Sequence, residues 1–210
     1  AAYVMDRVEG ERMKLTPGEH LTKLAKTLHE LHERDWPHGD LKPENVRVRD
    51  DGSLTLIDPL PIAAELATPE WSHLNFLVAT PLVDSADPRD RRMVWRHRDL
   101  VALALMAVQA WTGERPWGHA HSVKMFDRAV SMDDKRAEIN ATRERLEKIL
   151  PKAPMAARPF LALALDPGLW PDDGPIFAAY LQSRPFETRC DALSSLDVGE
   201  IFARAAAQVG

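Results

Sequence analysis

Cysteine is almost missing from this chain. Cys190 is the only one in 210 residues, so no internal disulfide can form, and the usage fits a reducing, cytoplasmic setting. Long apolar runs are missing too. The longest, Leu100 to Trp111, falls short of the roughly 20 residues that a bilayer-spanning helix needs. Neither sign of charge dominates: 32 acids stand against 27 bases, a net charge of -5. That balance lacks the clustered Lys and Arg of a nucleic-acid surface. No secretory signal opens the chain, and there is no internal repeat or low-complexity segment. Hydrophobic residues still make up 45%, enough for one core in one domain.

Tyr3-Val4-Met5 reads as the end of a buried strand, with a turn at Gly10. The chain begins at Ala1, directly in this apolar run, and reads as a piece of something longer. Thr16-Pro17-Gly18-Glu19 has the pattern of a capping box, with Thr16 as N-cap and proline at the first helical position. Leu21, Leu24, Ala25, Leu28 and Leu31 then form one helical stripe, and Asp35-Trp36-Pro37 ends it. From Asn45 to Ile57 short alternating runs flank Asp50-Asp51-Gly52, which predicts a β-hairpin. A loosely patterned stretch runs from there to about Arg98. Asp99 to Thr112 is apolar all round except at Gln109, which predicts a helix buried on every side, closed by Gly113. Further helices are expected over about 122–130, 133–150, 155–165, 175–182 and 195–208. The expected fold is mainly α with one small hairpin.

The segment His38-Gly39-Asp40-Leu41-Lys42-Pro43-Glu44-Asn45, followed by Asp58, gathers the groups that phosphoryl transfer requires. Asp40 and Asp58 are carboxylates at the two ends of the hairpin, and Asn45 adds a neutral oxygen. Such oxygen ligands suit magnesium, which takes one or two carboxylates together with phosphate oxygens and water. Lys42 suits the charge that develops on a transferring phosphoryl group, and a carboxylate can orient a hydroxyl and accept its proton.

This run resembles the catalytic loop of the protein kinases, His-Arg-Asp-Leu-Lys-x-x-Asn, with Leu56-Ile57-Asp58 in the place of the magnesium-binding Asp-Phe-Gly. Asp99 to Gly113 resembles the family's central buried helix, which opens with an aspartate that anchors the catalytic-loop backbone and closes on Thr-Gly. Glu114-Arg115-Pro116-Trp117 resembles the element after it, and Leu165-Asp166-Pro167 with Pro171 a later one. Tyr3 to Gly10 resembles the hinge. His97-Arg98-Asp99-Leu100 spells the signature tripeptide more faithfully than His38-Gly39-Asp40, but Val101 and Ala104 stand where lysine and asparagine are needed.

The resemblance implies a kinase C-lobe over 16–210, a helical bundle around a buried central helix, with hinge and the end of an N-lobe strand in 1–15. It implies ATP and Mg2+ as cofactors, Asp40, Lys42 and Thr80 as catalytic residues, and Asn45 and Asp58 as metal ligands. Met5 as gatekeeper, the backbone of Asp6 and Val8, and Arg47 beneath adenine would contact the nucleotide. A protein substrate with a Ser or Thr hydroxyl and an N-lobe supplied by upstream sequence are the implied partners, with no nucleic acid and no membrane.

Several positions depart from the family's pattern. Gly39 replaces the arginine that pairs with a phosphorylated activation loop, so activity is expected without that switch. Pro59-Leu60 replaces Phe-Gly and stiffens the loop. Arg47 stands where an apolar residue is usual. Thr80-Pro81 with Asp87 fits the end of the activation segment by spacing, as an alternative to Thr68-Pro69-Glu70-Trp71. Two other readings stay open: a small-molecule kinase of the aminoglycoside type, which also uses His-Gly-Asp, and a pseudokinase or binding scaffold, motivated by Arg47 and Pro59. His29 and His32 share a helix face without further zinc ligands. His119, His121 and the basic run Arg89 to Arg98 are expected to face solvent.

Overall fold

The computed structural model describes residues 8–59, 71, 88–118, 129–165, 188, 191–193 and 195–209. Its elements in chain order are β1 (Glu11–Arg12), α1 (Glu19–Glu33), β2 (Val46–Val48), β3 (Leu54–Leu56), α2 (Pro88–Thr112), α3 (Met132–Ile149), α4 (Arg158–Leu165) and α5 (Val198–Val209). The fold is mainly helical with one small antiparallel sheet, as a kinase-like C-lobe requires.

α2 is the axis of the molecule. Every residue from His97 to Val108 is buried, which is more than three turns with no solvent-facing side. A helix clothed all round must be covered on every face. Here α1 and α4 both pack on it, and α1 in turn packs against α5. The expected stripe of α1 points inward: Leu21, Leu24, Ala25 and Leu28 are buried. Phe202 of α5 joins this core to α4 and α2, with ring centroids 5.8 Å from Phe160 and 5.2 Å from Trp111. Burying side chains of this size stabilises a fold by about 1.5–3 kcal/mol each. No helix among the described residues is long and apolar enough to cross a membrane.

The hairpin gains a third strand. β2 pairs antiparallel with β3, Arg47 opposite Thr55, and β1 adds to the other edge of β2, with Arg12 opposite Arg47. Gly10, at φ 125, lets the chain enter β1: a Cβ there would lie 2.7 Å from the Val48 carbonyl oxygen. The hairpin tip is tied to α1 by Lys23, whose Nζ donates to the Gly52 carbonyl at 2.8 Å.

Some boundaries depart from the sequence reading. α1 starts at Glu19 with Gly18 as N-cap at φ 132 and no side-chain cap, so Thr16 does not cap it. The extended glycine sets Thr16 outside the helix, where its N–H bonds to the Lys14 carbonyl at 3.0 Å. Glu19 instead pairs with Lys23 at 2.8 Å. α1 ends before Pro37 acts: Asp35 N–H donates to His32 O at 2.9 Å and Trp36 N–H to Leu31 O at 3.0 Å. Asp35 itself sits at φ 58. This is a Schellman closure with aspartate in the left-handed position that glycine usually fills.

α2 begins at Pro88, so 88–98 is helix rather than loop and Asp99 lies inside the helix rather than at its start. α3 is capped by Ser131, whose side chain accepts from Asp134 N–H. The segment expected as a helix over 155–165 divides into a 3-10 turn, Met155–Ala157, and α4. Of the helix expected over 122–130 only 129 and 130 are described, as a turn and bend before Ser131. The helix expected over 175–182, together with Tyr3 to Met5, lies outside the described residues.

Candidate active site

The segment between α1 and β2 folds around Asp99. His38 N–H donates to Asp99 Oδ2 at 2.7 Å and Gly39 N–H donates to Oδ1 at 2.9 Å. One fully buried carboxylate thus takes two consecutive backbone donors from a non-helical stretch that has no ladder partner for them. His32, on the last turn of α1, meets the same Oδ2 through Nε2 at 3.0 Å. Gly39 adopts φ 82, which puts its N–H toward Asp99 in a conformation that side chains disfavour.

The next turn orients the side chains. His38 is buried, and its Nδ1 accepts the Asp40 N–H at 3.3 Å. Its Nε2 therefore carries the proton and donates to the Ile57 carbonyl at 2.9 Å. Ile57 N–H in turn donates to the Asn45 carbonyl at 2.9 Å, which locks the end of β3 to the start of β2. Asp40 is 7% exposed, and its Oδ2 receives Lys42 Nζ at 2.6 Å and Asn45 Nδ2 at 3.1 Å. Asn45 Nδ2 also donates to the Asp40 carbonyl at 2.8 Å. With its amide nitrogen spent on Asp40, Asn45 keeps Oδ1 as an acceptor, the hard oxygen that magnesium prefers.

Asp58 is exposed and lies one residue beyond Ile57, at φ 53 in the left-handed region. No group of three or more His, Cys, Asp or Glu side chains among the described residues could hold a metal. A pair such as Asn45 and Asp58 fits an ion that keeps most of its shell as water and phosphate oxygen, and does not suit a closed structural site.

The structure thus brings Asp40, Lys42 and Asn45 into contact and sets Asp58 at the end of the neighbouring strand. Arg47 stands half-buried on β2, and Val8 is half-buried just ahead of β1. Met5, Asp6 and Thr80 lie outside the described residues, as do His119, His121 and Cys190.

The last residues of the basic run before Asp99 do not form a solvated face. Trp95, His97 and Arg98 are buried, and the Arg98 guanidinium stacks 4.8 Å above the Trp95 ring. Burial pushes Arg98 down to about 10, against the opposing pull of Asp40 and Asp99. It remains a cation at neutral pH, behind the loop. Arg96 reaches back to the end of α1, donating to the His32 carbonyl and pairing with Asp35 at 3.1 Å. Trp71 is also buried, under the Arg115 guanidinium at 3.8 Å. Sequence reasoning missed these aromatic and guanidinium pairs; the signal available was Trp95 three positions before Arg98 on one helix.

Comparison with known proteins agrees with part of this picture. A stretch of 102 residues, 48% of the chain, is 34% identical to the "Serine/threonine-protein kinase AfsK" of Streptomyces coelicolor, and to the protein of the same name from Streptomyces griseus. The match spans 12% of the length of each relative. No protein-family model matches the chain. The similarity points to a kinase-like relation over about half of the chain.

Proposed function

We propose that this chain is the C-lobe of an ATP-dependent protein kinase that phosphorylates Ser or Thr hydroxyls. The observation that carries the proposal is the convergence of Lys42 and Asn45 on one oxygen of Asp40, on a loop whose backbone hangs from Asp99. That arrangement fixes a carboxylate at the mouth of a hairpin that also presents Asn45 and Asp58.

In this reading Asp40 orients the acceptor hydroxyl and takes its proton as the oxygen attacks phosphorus. Lys42 shifts part of its charge from Asp40 to the transferring phosphoryl group. Asn45 Oδ1 and the Asp58 carboxylate would hold magnesium, and Mg-ATP, when bound, would supply the phosphoryl group, the bond to it breaking as Mg-ADP leaves. By the resemblance, Thr80 would serve Asp40 and Lys42, and Met5 with the backbone of Asp6 and Val8 would border adenine within a hinge over 1–15. An N-lobe from upstream sequence completes the phosphate-binding half of the site.

The full-length protein should transfer labelled phosphate from ATP to a protein acceptor, and Asp40→Asn should abolish transfer. Transfer that survives this substitution overturns the reading. Acceptance of phosphate by free alcohols but not by protein would move the assignment to a small-molecule kinase. Pro59, directly after Asp58, favours a second reading, a scaffold that binds nucleotide without transfer; magnesium-dependent ATP binding with no turnover would select it.

A further inference from the structure

The outer face of the small sheet carries a charge arrangement that the fold alone does not account for. Side chains directly opposite in antiparallel strands share a face. Arg12, Arg47 and Thr55 therefore form one row across β1, β2 and β3. The adjacent rows point the other way: Val46 is fully buried, and Val48, Leu54 and Leu56 pack against the core. Two guanidinium groups thus stand side by side on the face turned from the core, and like charges in that relation destabilise a sheet by about 0.2–1 kcal/mol.

Among the described residues only one of the two is neutralised. Arg12 pairs with Glu44, from the turn just before β2. Arg47 makes no ion pair or side-chain hydrogen bond among the described residues, although it is half-buried. Burying much of a cation without a partner is unfavourable, so an anion placed beside it gains more than at a fully solvated arginine. The position is also specific: Asn45 lies two residues before Arg47, at the end of the turn that leads into β2, and Asp58 two residues after Leu56, just past the end of β3. Two oxygen ligands suited to a hard cation thus stand close in the chain to an arginine whose guanidinium suits phosphate oxygens.

We propose that Arg47 is a specificity-determining residue for the nucleotide, its guanidinium taking phosphate oxygens of the metal-bound polyphosphate. The inference rests on the kinase reading above and deepens it, moving the contact of Arg47 from beneath adenine, where the resemblance puts it, to the phosphates. Arg47 does not take part in the transfer. It selects a polyanion over a nucleoside and adds an electrostatic component to binding that salt weakens.

The test uses the full-length protein, with titrations of Mg-ATP and of adenosine at two salt concentrations. Arg47→Leu should weaken Mg-ATP about tenfold, leave adenosine unchanged and flatten the salt dependence. Arg47→Lys should stay within about threefold of the native protein, because a phosphate contact needs the charge, whereas a base-stacking contact needs the planar guanidinium. The melting temperature of Arg47→Leu should hold or rise, since the like-charged neighbour of Arg12 is gone. Native-like or tighter Mg-ATP binding by Arg47→Leu overturns the inference and leaves the kinase reading standing. So does an equal loss in the lysine and leucine variants. Failure of the native protein to bind Mg-ATP at all overturns both.

Discussion

Asp99 holds Gly39 by its backbone: the Gly39 N–H donates to Asp99 Oδ1 at 2.9 Å, from a residue at φ 82. The other carboxylate oxygen takes the His38 N–H at 2.7 Å, so the segment that carries Asp40 hangs from a helix buried on every side. The loop keeps its shape because two of its backbone donors end on a helix buried on every side, in addition to the bonds its own side chains make.

Asp99→Asn should therefore be damaging although it changes volume little. An amide offers one acceptor where the carboxylate offers two, and its NH2 group faces a backbone N–H. One charge-assisted hydrogen bond is lost and a buried donor is left unsatisfied, a cost of about 2–3 kcal/mol. For a chain of this length that lowers the melting temperature by about 4–12 °C. A melting temperature unchanged within error would show that the loop does not depend on this anchor.

Gly10→Ala tests the third strand. The added Cβ would lie 2.7 Å from the Val48 carbonyl oxygen, and the backbone conformation is one that alanine avoids, so about 1–3 kcal/mol of strain is expected. The damage should be local. The Met13 amide, which donates to the Val46 carbonyl at 3.0 Å, should exchange its hydrogen faster, while α2 amides keep their protection. Unchanged exchange at Met13 would mean that β1 tolerates a side chain at this entry point.

The parts of the site that were legible in the sequence are those whose chemistry lies within one short run. His38 to Asn45 keeps its polar residues at fixed spacings, and the structure joins Asp40, Lys42 and Asn45 through them. Asp99 was legible as an anchor only through resemblance, because the run from Asp99 to Gly113 resembles a kinase central helix whose opening aspartate holds the catalytic-loop backbone. Its place inside a longer helix was not. Pro88 to Arg98 is so rich in charge that it reads as a solvated loop, yet tertiary packing buries Trp95, His97 and Arg98 together.

The misread boundaries have a common cause, a single backbone conformation that outweighs a pattern. Thr16 to Glu19 spells a capping box, but Gly18 at φ 132 takes the N-cap. β1 is two residues long, Glu11–Arg12, too short to show an alternation. The end of α1 just before Asp35 was legible, but its cause was not, because glycine is the recognisable signal in the left-handed position that Asp35 takes. Local propensity is weak in each case, and one hydrogen bond or glycine decides the register.

That closure makes a prediction of its own. Asp35→Ala loses both the tolerance of aspartate for the left-handed region and the 3.1 Å pair with Arg96, and should cost about 1–2 kcal/mol. Asp35→Gly gives up the same side-chain contacts, among them the partly exposed ion pair, worth about 0–1 kcal/mol, but it relieves the backbone. It should stay within about 0.5 kcal/mol of the native protein, the relief offsetting the lost pair. Thermal denaturation of the two variants side by side gives the order. Equal stability of alanine and glycine at this position would rule out backbone strain as the governing factor.

Lys42 separates a group that binds from a group that acts. Its Nζ lies 2.6 Å from Asp40 Oδ2, so it is already placed and already paired. If it serves the transferring phosphoryl group, its gain comes when charge builds on phosphorus and not when nucleotide arrives. Lys42→Met should then lower kcat by about 10²–10³ while KM for ATP moves little, the pattern of an interaction made in the transition state. A rise in KM with kcat preserved would make Lys42 a docking cation for the nucleotide. A variant that keeps both would reduce it to the ion-pair partner that positions Asp40, and phosphoryl stabilisation would have to come from elsewhere in the complete protein.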